Sequence, residues 1–211
     1  MKPSPLPDFS TAPAVVVAAS GPSLTADDCE LCNAQALPFI AVNASFRLAP
    51  WADMVYMGDY RTVVQYADEA RRLSGFKDRI WSCNTLAAEQ WQTKLVYGNP
   101  ENGLSRQPGT ITLGGNSGYQ ALHLAVTCGA RRVILIGFDM MLGPNGEKHW
   151  HADHPAPLVQ AMCLEEWIHK MNILAKDLQR AGVRVVNCSR RTALQCFPVH
   201  NLEAEIEACL S

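Results

Sequence analysis

The chain has 211 residues and a mass of 23.1 kDa, which is the size of one compact domain. Hydrophobic residues make up 48% of the sequence and charged residues 18%, so a buried core is expected and a disordered chain is excluded. The 18 Lys and Arg residues are balanced by 20 Asp and Glu residues, and this balance lacks the positive field that binding to duplex nucleic acid requires.

The first residues are rich in proline, and we interpret residues 1–13 as a tail that precedes the domain. No apolar run in the chain reaches the roughly 18–20 residues that span a bilayer. The N-terminus also lacks the pattern of a signal peptide. We therefore expect neither a membrane anchor nor a membrane partner, and a homo-oligomer is compatible with the sequence.

Most of the eight cysteines lie inside apolar patterns, where a free thiol behaves as a small hydrophobe. This usage is typical of the reducing cytoplasm, which is the expected location. Cys29 and Cys32 form a Cys-x-x-Cys pattern on a predicted helix that Thr25 and Asp28 open. Without a second pair at zinc-ribbon spacing, this pattern does not by itself indicate a redox or zinc site.

Short runs rich in Val and Ile alternate with longer segments of helical period, which is typical of a mostly parallel sheet flanked by helices. The predicted strands are residues 14–19, 39–43, 54–57, 79–82, 111–113, 133–138 and 183–187, and the predicted helices are residues 26–36, 61–73, 117–128 and 158–181. We predict a single Rossmann-like α/β domain over residues 14–211, with irregular lid or loop segments at about residues 94–110 and 141–157.

The first predicted strand ends in a tight turn that leads into a helix and contains Ser20, Gly21, Pro22 and Ser23. Glycine has no Cβ that would block a ligand, and backbone N–H groups at the start of a helix favour an anion. The turn therefore predicts a phosphate site, with a turn that merely redirects the chain as the alternative. It matches neither G-x-G-x-x-G nor a P-loop, so a standard NAD site or Walker-type ATPase is not indicated.

A second glycine turn follows the predicted strand 111–113 and contains Gly115, Asn116, Ser117 and Gly118. With the next helix and the strand 133–138 it forms a predicted βαβ unit, so we expect this turn at the carboxyl edge of the sheet, where ligands bind in open α/β sheets. We predict that the two turns hold one nucleotide between them. Glycines that allow close packing of the helix on the strand are the alternative.

Asn43, Asp59 and Asp139 each follow a predicted strand and are expected near the same edge. A carboxylate in this position suits a ribose hydroxyl, a metal ion or a helix N-cap. The sequence leaves these roles open, and with them the need for a divalent metal.

The irregular segment 141–157 contains His151 and His154, which we predict to act as general base or acid on a hydroxyl nucleophile. A hydrogen-bonded loop histidine is the alternative. The stretch from His149 to His154 also matches the letters H-x-H-x-D-H of metallo-β-lactamase-fold hydrolases, which keeps a metal-dependent hydrolase as a further hypothesis.

The ordered motifs Gly21-Pro22-Ser23, Asn43, Ser117-Gly118 and Gly137-Phe138-Asp139 resemble those of the bacterial sialyltransferases of glycosyltransferase family 42. They are also similar to those of the archaeal-type 6-hydroxymethylpterin diphosphokinases. The histidine segment and the ending Val186-Asn187-Cys188-Ser189 look like proteins encoded by phages and prophages. The resemblance spans about residues 14–190 and depends on short motifs.

The first resemblance implies a nucleotide donor such as a CMP-sugar, a hydroxyl acceptor, and His151 or His154 as the base. It implies donor contacts at Gly21, Pro22, Ser23, Asn43, Ser117 and Gly118. The family's Arg before the Ser-Gly turn has no counterpart here, because Gly114 and Gly115 occupy its place. The second resemblance implies pyrophosphoryl transfer from ATP to a small alcohol, with Mg²⁺ held by Asp59 and Asp139. A non-catalytic nucleotide-binding protein is the third hypothesis.

Overall fold

The computed structural model describes residues 1–73, 78–152 and 163–211. Within these ranges it confirms the predicted α/β fold, with a seven-stranded parallel sheet and a separate two-stranded parallel sheet. The large sheet contains β1 Val15–Ala18, β2 Phe39–Val42, β3 Met54–Tyr56, β4 Ile80–Ser82, β5 Lys94–Leu95, β8 Arg132–Ile136 and β9 Arg184–Asn187. The small sheet contains β6 Tyr97–Asn99 and β7 Thr110–Thr112.

Helices flank the large sheet, and most begin at a side chain that accepts an N–H group of the first turn. They are α1 Ala26–Ala34, α2 Tyr60–Arg72, α3 Thr85–Trp91, α4 Ser117–Thr127, α5 Leu164–Arg180 and α6 Leu202–Leu210, and a 3₁₀ turn spans Asn43–Arg47. The capping side chains are those of Thr25, Asp59, Asn84, Asn116 and Asn201. A cap of this kind stabilises a helix start by about 1 kcal/mol relative to Ala.

The strand order of the large sheet is β5-β4-β3-β2-β1-β8-β9. The chain moves outward from β1 to β5 and then returns to the other side of β1, where Val15 pairs with Val133 and Ala18 with Ile136. The order therefore reverses between β1 and β8. In open α/β sheets such a reversal marks the position, at the carboxyl edge, where ligands bind.

Both faces of β1 are buried, which explains why its sequence is continuously apolar instead of alternating. Val16 and Ala18 belong to the hydrophobic cluster on one face of the sheet, and Val15 and Val17 belong to the cluster on the other.

The prediction that residues 111–113 form a strand of the large sheet is wrong. Thr110–Thr112 pairs with Tyr97–Asn99 in the small sheet, and the place beside β1 is taken by β8, which has a longer apolar run. Helix α4 nevertheless packs against β1 and β2, so its N-terminal turn still reaches the carboxyl edge.

The sequence prediction missed α3 and α6, and it also missed β5 and β6 in the segment predicted to be irregular. In α6 the buried residue Glu205 is charged, and it therefore interrupts the apolar pattern by which a helix is recognised in the sequence. Burial alone would raise the pKa of Glu205, but hydrogen bonds from His200 and Arg132 outweigh this effect and lower it. The predicted start of the helix 158–181 falls outside the described residues, which begin again at residue 163.

Residues 1–13 contain no helix or strand but pack on the domain, since Phe9 is buried and the N–H of Ser4 donates to the carbonyl of Leu95 at 2.8 Å. Cys29 and Cys32 are buried free thiols on α1, and burial raises the pKa of Cys29 to about 12. No helix in the described ranges is long and apolar enough to cross a membrane.

A buried group of polar side chains fixes the small sheet to α4. The ring nitrogens of His123 lie 3.0 Å from the backbone nitrogen of Thr112 and 3.3 Å from that of Ser105. The hydroxyl of Tyr119 accepts a hydrogen bond from the N–H of Gly103 at 2.8 Å. Burial lowers the pKa of His123 to about 4, and protonation would also place an N–H group against each of the two backbone donors.

We predict that His123 makes the stability of the protein depend on pH. The unfolded chain takes up a proton near the ordinary pKa of histidine, whereas the folded chain does so only near pH 4, so stability is lost as the pH falls from about 7 towards 4. His123 alone should lower the free energy of unfolding at pH 5 by about 2 kcal/mol relative to pH 7.5. Urea unfolding at the two pH values measures this difference.

His123→Asn keeps an acceptor for the Thr112 N–H group and removes the titrating ring, so the variant should lose about that part of the pH dependence. His169→Asn, on the exposed part of α5, is the matched control and should keep it. An unchanged pH dependence in His123→Asn would contradict the prediction.

Candidate functional site

A cleft of about 330 Å³ lies at the carboxyl edge of the large sheet, around the switch point between β1 and β8. This volume lies within the range typical of small-molecule sites. Both glycine turns line this cleft, as the sequence predicted. The lining includes Ser20, Gly21, Pro22, Asn43, Gly58, Asp59, Thr62, Gly115, Asn116, Ser117, Gly118, Gln120, Phe138, Asp139, Met140, Lys148, His149, Leu164 and Trp167.

The first turn is tied to the loop after β8 by hydrogen bonds within the protein. The N–H of Gly21 donates to the carbonyl of Gly137 at 2.8 Å, and both the N–H and the hydroxyl of Ser23 donate to the carboxylate of Asp139 at 2.8 Å. Pro22 has no N–H to offer. These groups are therefore engaged, and the first turn contributes shape to the cleft without free backbone donors at Gly21 and Ser23.

Gly21 is required by the close approach of the two loops. A Cβ at this position would overlap Asp139 Oδ1 and the carbonyl oxygen of Gly137. This close packing of the two loops, which the sequence did not indicate for Gly21, is sufficient to explain the glycine.

The second turn, in contrast, presents donors to the cleft. Asn116 caps α4 by accepting the N–H of Tyr119 at 2.9 Å through Oδ1, which orients its Nδ2 as a donor. This Nδ2 is buried and has no hydrogen-bond partner among the described residues. The N–H groups of Ser117 and Gly118 belong to the first turn of α4 and have no helical carbonyl to pair with. Such a helix start is suited to binding an anion.

Two residues other than glycine adopt positive φ at the ends of strands that border the cleft. Asn43, directly after β2, has φ 52°, and its Oδ1 is buried with no partner in the described part of the chain. Met140, which follows Asp139, has φ 49°. This conformation is uncommon for residues with a Cβ and tends to cluster at functional sites.

The two carboxylates of the lining already accept hydrogen bonds. Asp59 caps α2, and its oxygens accept the N–H of Thr62 at 3.0 Å and the hydroxyl of Thr62 at 2.7 Å. Asp139 accepts from Ser23, and burial raises its pKa although these hydrogen bonds oppose the shift. Within residues 1–73, 78–152 and 163–211, no group of three His, Cys, Asp or Glu side chains is arranged to hold a metal ion.

The histidine segment lies over the first turn. Trp150 anchors it, because its N–H donates to the carbonyl of Ser20 at 3.2 Å and its Nε1 donates to Ser45 Oγ at 3.3 Å. His149 lines the cleft, and the ring of His151 stacks on it with the centroids 5.1 Å apart. His151 itself is not among the lining residues, and His154 lies outside the described residues.

The sequence prediction missed several lining residues, among them Gln120, Lys148 and Trp167. Gln120 Oε1 accepts from the hydroxyl of Tyr56 at 2.9 Å, and its Nε2 donates to the carbonyl of Leu113 at 2.8 Å. Lys148 adjoins the predicted histidines, and this proximity is a signal that sequence reasoning had available. Gln120 and Trp167 lie on helices with no local pattern that indicates a site.

No protein-family model, curated protein or solved structure matches this chain.

We predict that Gly21→Ala destabilises the protein by about 1–3 kcal/mol, because the new methyl group would force the loops after β1 and β8 apart. Urea unfolding of the variant and the parent protein measures the change. A free energy of unfolding within about 0.5 kcal/mol of the parent value would contradict the close approach of these loops.

Proposed function

We propose that this protein binds a nucleotide-activated donor in the cleft and transfers its glycosyl group to a hydroxyl acceptor. The observation that carries the proposal is the convergence of the start of α4, with its unpartnered Asn116 Nδ2, and the first glycine turn on one cleft at the switch point of the sheet. A nucleotide is the ligand class that suits such a crevice in an open α/β sheet.

The phosphate belongs at the second turn. The N–H groups of Ser117 and Gly118, the hydroxyl of Ser117 and the Nδ2 of Asn116 supply donors, and Lys148 adds a positive charge to the lining. These groups would stabilise the negative charge that develops on the phosphate as its bond to the sugar breaks, which is how preorganised donors increase a reaction rate.

His149 is the side chain best situated to act as the base. In the proposed step the acceptor oxygen attacks the anomeric carbon, the bond between this carbon and the phosphate oxygen breaks, and the acceptor proton passes to the imidazole. The sequence pointed to His151 or His154 for this role. The position of His149 in the lining and the stacking of His151 behind it support His149.

Pyrophosphoryl transfer from ATP has less support. It would require Asp59 and Asp139 to hold Mg²⁺, and both carboxylates are engaged with Thr62 and Ser23. A metal ion would have to share these oxygens with the hydrogen bonds already present, including the cap of α2.

We predict that Asn116→Asp weakens the binding of CMP roughly 10- to 100-fold, because the ligand loses a donor and gains a charge of its own sign nearby. The variant keeps the cap of α4, since a carboxylate oxygen can accept the Tyr119 N–H group and favours a helix start. Isothermal titration calorimetry measures the dissociation constant, and thermal unfolding should show an equal or higher Tm.

Asn201→Asp is the matched control, because Asn201 caps α6 in the same way and does not line the cleft. CMP should bind to this variant as to the parent protein. Equal affinity of CMP for Asn116→Asp and the parent, or failure of the parent to bind any of CMP, UDP, ADP and ATP, would overturn the proposed site.

We predict that His149→Gln lowers the rate of nucleotide release from the active member of a panel of nucleotide sugars by about 10²- to 10⁴-fold. Nucleotide affinity should stay unchanged. His169→Gln is the control, because His169 is exposed on α5, and this variant should keep the parent rate. A loss of rate in His151→Gln with none in His149→Gln would assign the base to His151 instead.

A further inference from the structure

Trp167 of α5 has an environment different from that of the other tryptophans. The chain has five tryptophans. Trp81 is buried in one hydrophobic cluster, and Trp51, Trp91 and Trp150 are partly buried and pack against the other. Trp167 belongs to neither cluster, although its neighbour Ile168 does pack against one of them. Trp167 is partly exposed and lines the cleft, which none of the other four does.

The indole N–H of Trp167 donates to no group in the described part of the protein. A partly exposed indole beside a cleft offers both an aromatic face and an N–H donor to a ligand.

The indole of Trp167 lies close to the proposed phosphate site. Its Nε1 and Cδ1 atoms lie 3.5 Å from the point where a Cβ of Gly115 would be, so the ring adjoins the second glycine turn. Leu164 lines the cleft from the preceding turn of the same helix, three residues earlier. Together these two side chains form an apolar wall beside the donors of α4.

Among the described aromatic residues of the lining, Trp167 has the ring that is available for stacking. Phe138 is buried against Gly118, and its Cε1 is 3.1 Å from the Cβ position of that glycine. The ring of His149 is already stacked on that of His151. The nucleobase is the one large planar group in a nucleotide donor, and bases stack on aromatic side chains irrespective of their identity.

We propose that Trp167 binds the nucleobase of the donor by ring stacking and thereby directs the base towards α5 while the phosphate lies at the start of α4. This inference rests on the proposed function. It adds a binding residue on α5, and it predicts that Trp167 affects the binding of a ligand with a base and not that of a ligand without one.

The test compares CMP with ribose 5-phosphate, which keeps a sugar and a phosphate but has no base. We expect Trp167→Ala to weaken CMP binding roughly 5- to 150-fold in calorimetry and to leave the affinity for ribose 5-phosphate unchanged. Trp167→Phe keeps an aromatic face and should recover most of the CMP affinity. Thermal unfolding of both variants checks that the fold is retained.

Tryptophan fluorescence supplies a second readout that does not depend on the stability of the alanine variant. CMP should quench the emission of the parent protein, and Trp167→Phe should lose this quenching because, of the five tryptophans, all of them described, only Trp167 lines the cleft. His169→Ala, on the exposed part of α5, is the control and should be quenched like the parent.

Equal weakening of CMP and ribose 5-phosphate by Trp167→Ala would overturn the inference, since the indole would then not act through the base. Unchanged CMP affinity in Trp167→Ala, together with weakened binding in Asn116→Asp, would overturn it while the proposed nucleotide site stands. Failure of the parent to bind any nucleotide would overturn both.

Discussion

The carboxylate of Asp139 accepts hydrogen bonds from the backbone N–H and the hydroxyl of Ser23, and the architecture of the cleft depends on this contact. Asp139 is buried, and a buried carboxylate is costly unless it is hydrogen-bonded. The pairing joins the loop after β1 to the loop after β8 at the point where the strand order reverses. This pairing holds the two loops together beside the cleft that Asp139 lines.

Because of this contact, the two glycine turns have different roles in the cleft. The first turn is closed by hydrogen bonds within the protein, so it defines the shape of the cleft wall. The second turn leaves the start of α4 open, with the Nδ2 of Asn116 buried and unpartnered among the described residues. The proposed binding of phosphate therefore depends on the second turn, and the first turn is a rigid surface against which the ligand lies.

The sequence allowed much of this arrangement to be predicted. The continuous apolar run of β1 indicated a strand buried on both faces, Thr25 with Asp28 marked the start of α1, and the second glycine turn marked the start of α4. The residues that follow parallel strands share one edge, which is why Asn43, Asp59 and Asp139 were expected together and do line one cleft. Asp59 and Asp139, however, form hydrogen bonds within the protein, and the pattern of residues did not reveal this.

Local patterns in the sequence by themselves determined the class of the fold, the starts of α1 and α4 and the edge at which a site would lie, because periodicity, caps and glycine turns act over a few residues. Tertiary structure alone decided that β7 leaves the large sheet, that His149 and not His151 faces the cleft, and that Trp167 stands outside the core. Each of these outcomes depends on competition between segments far apart in the chain for the same space, and no local pattern contains that information.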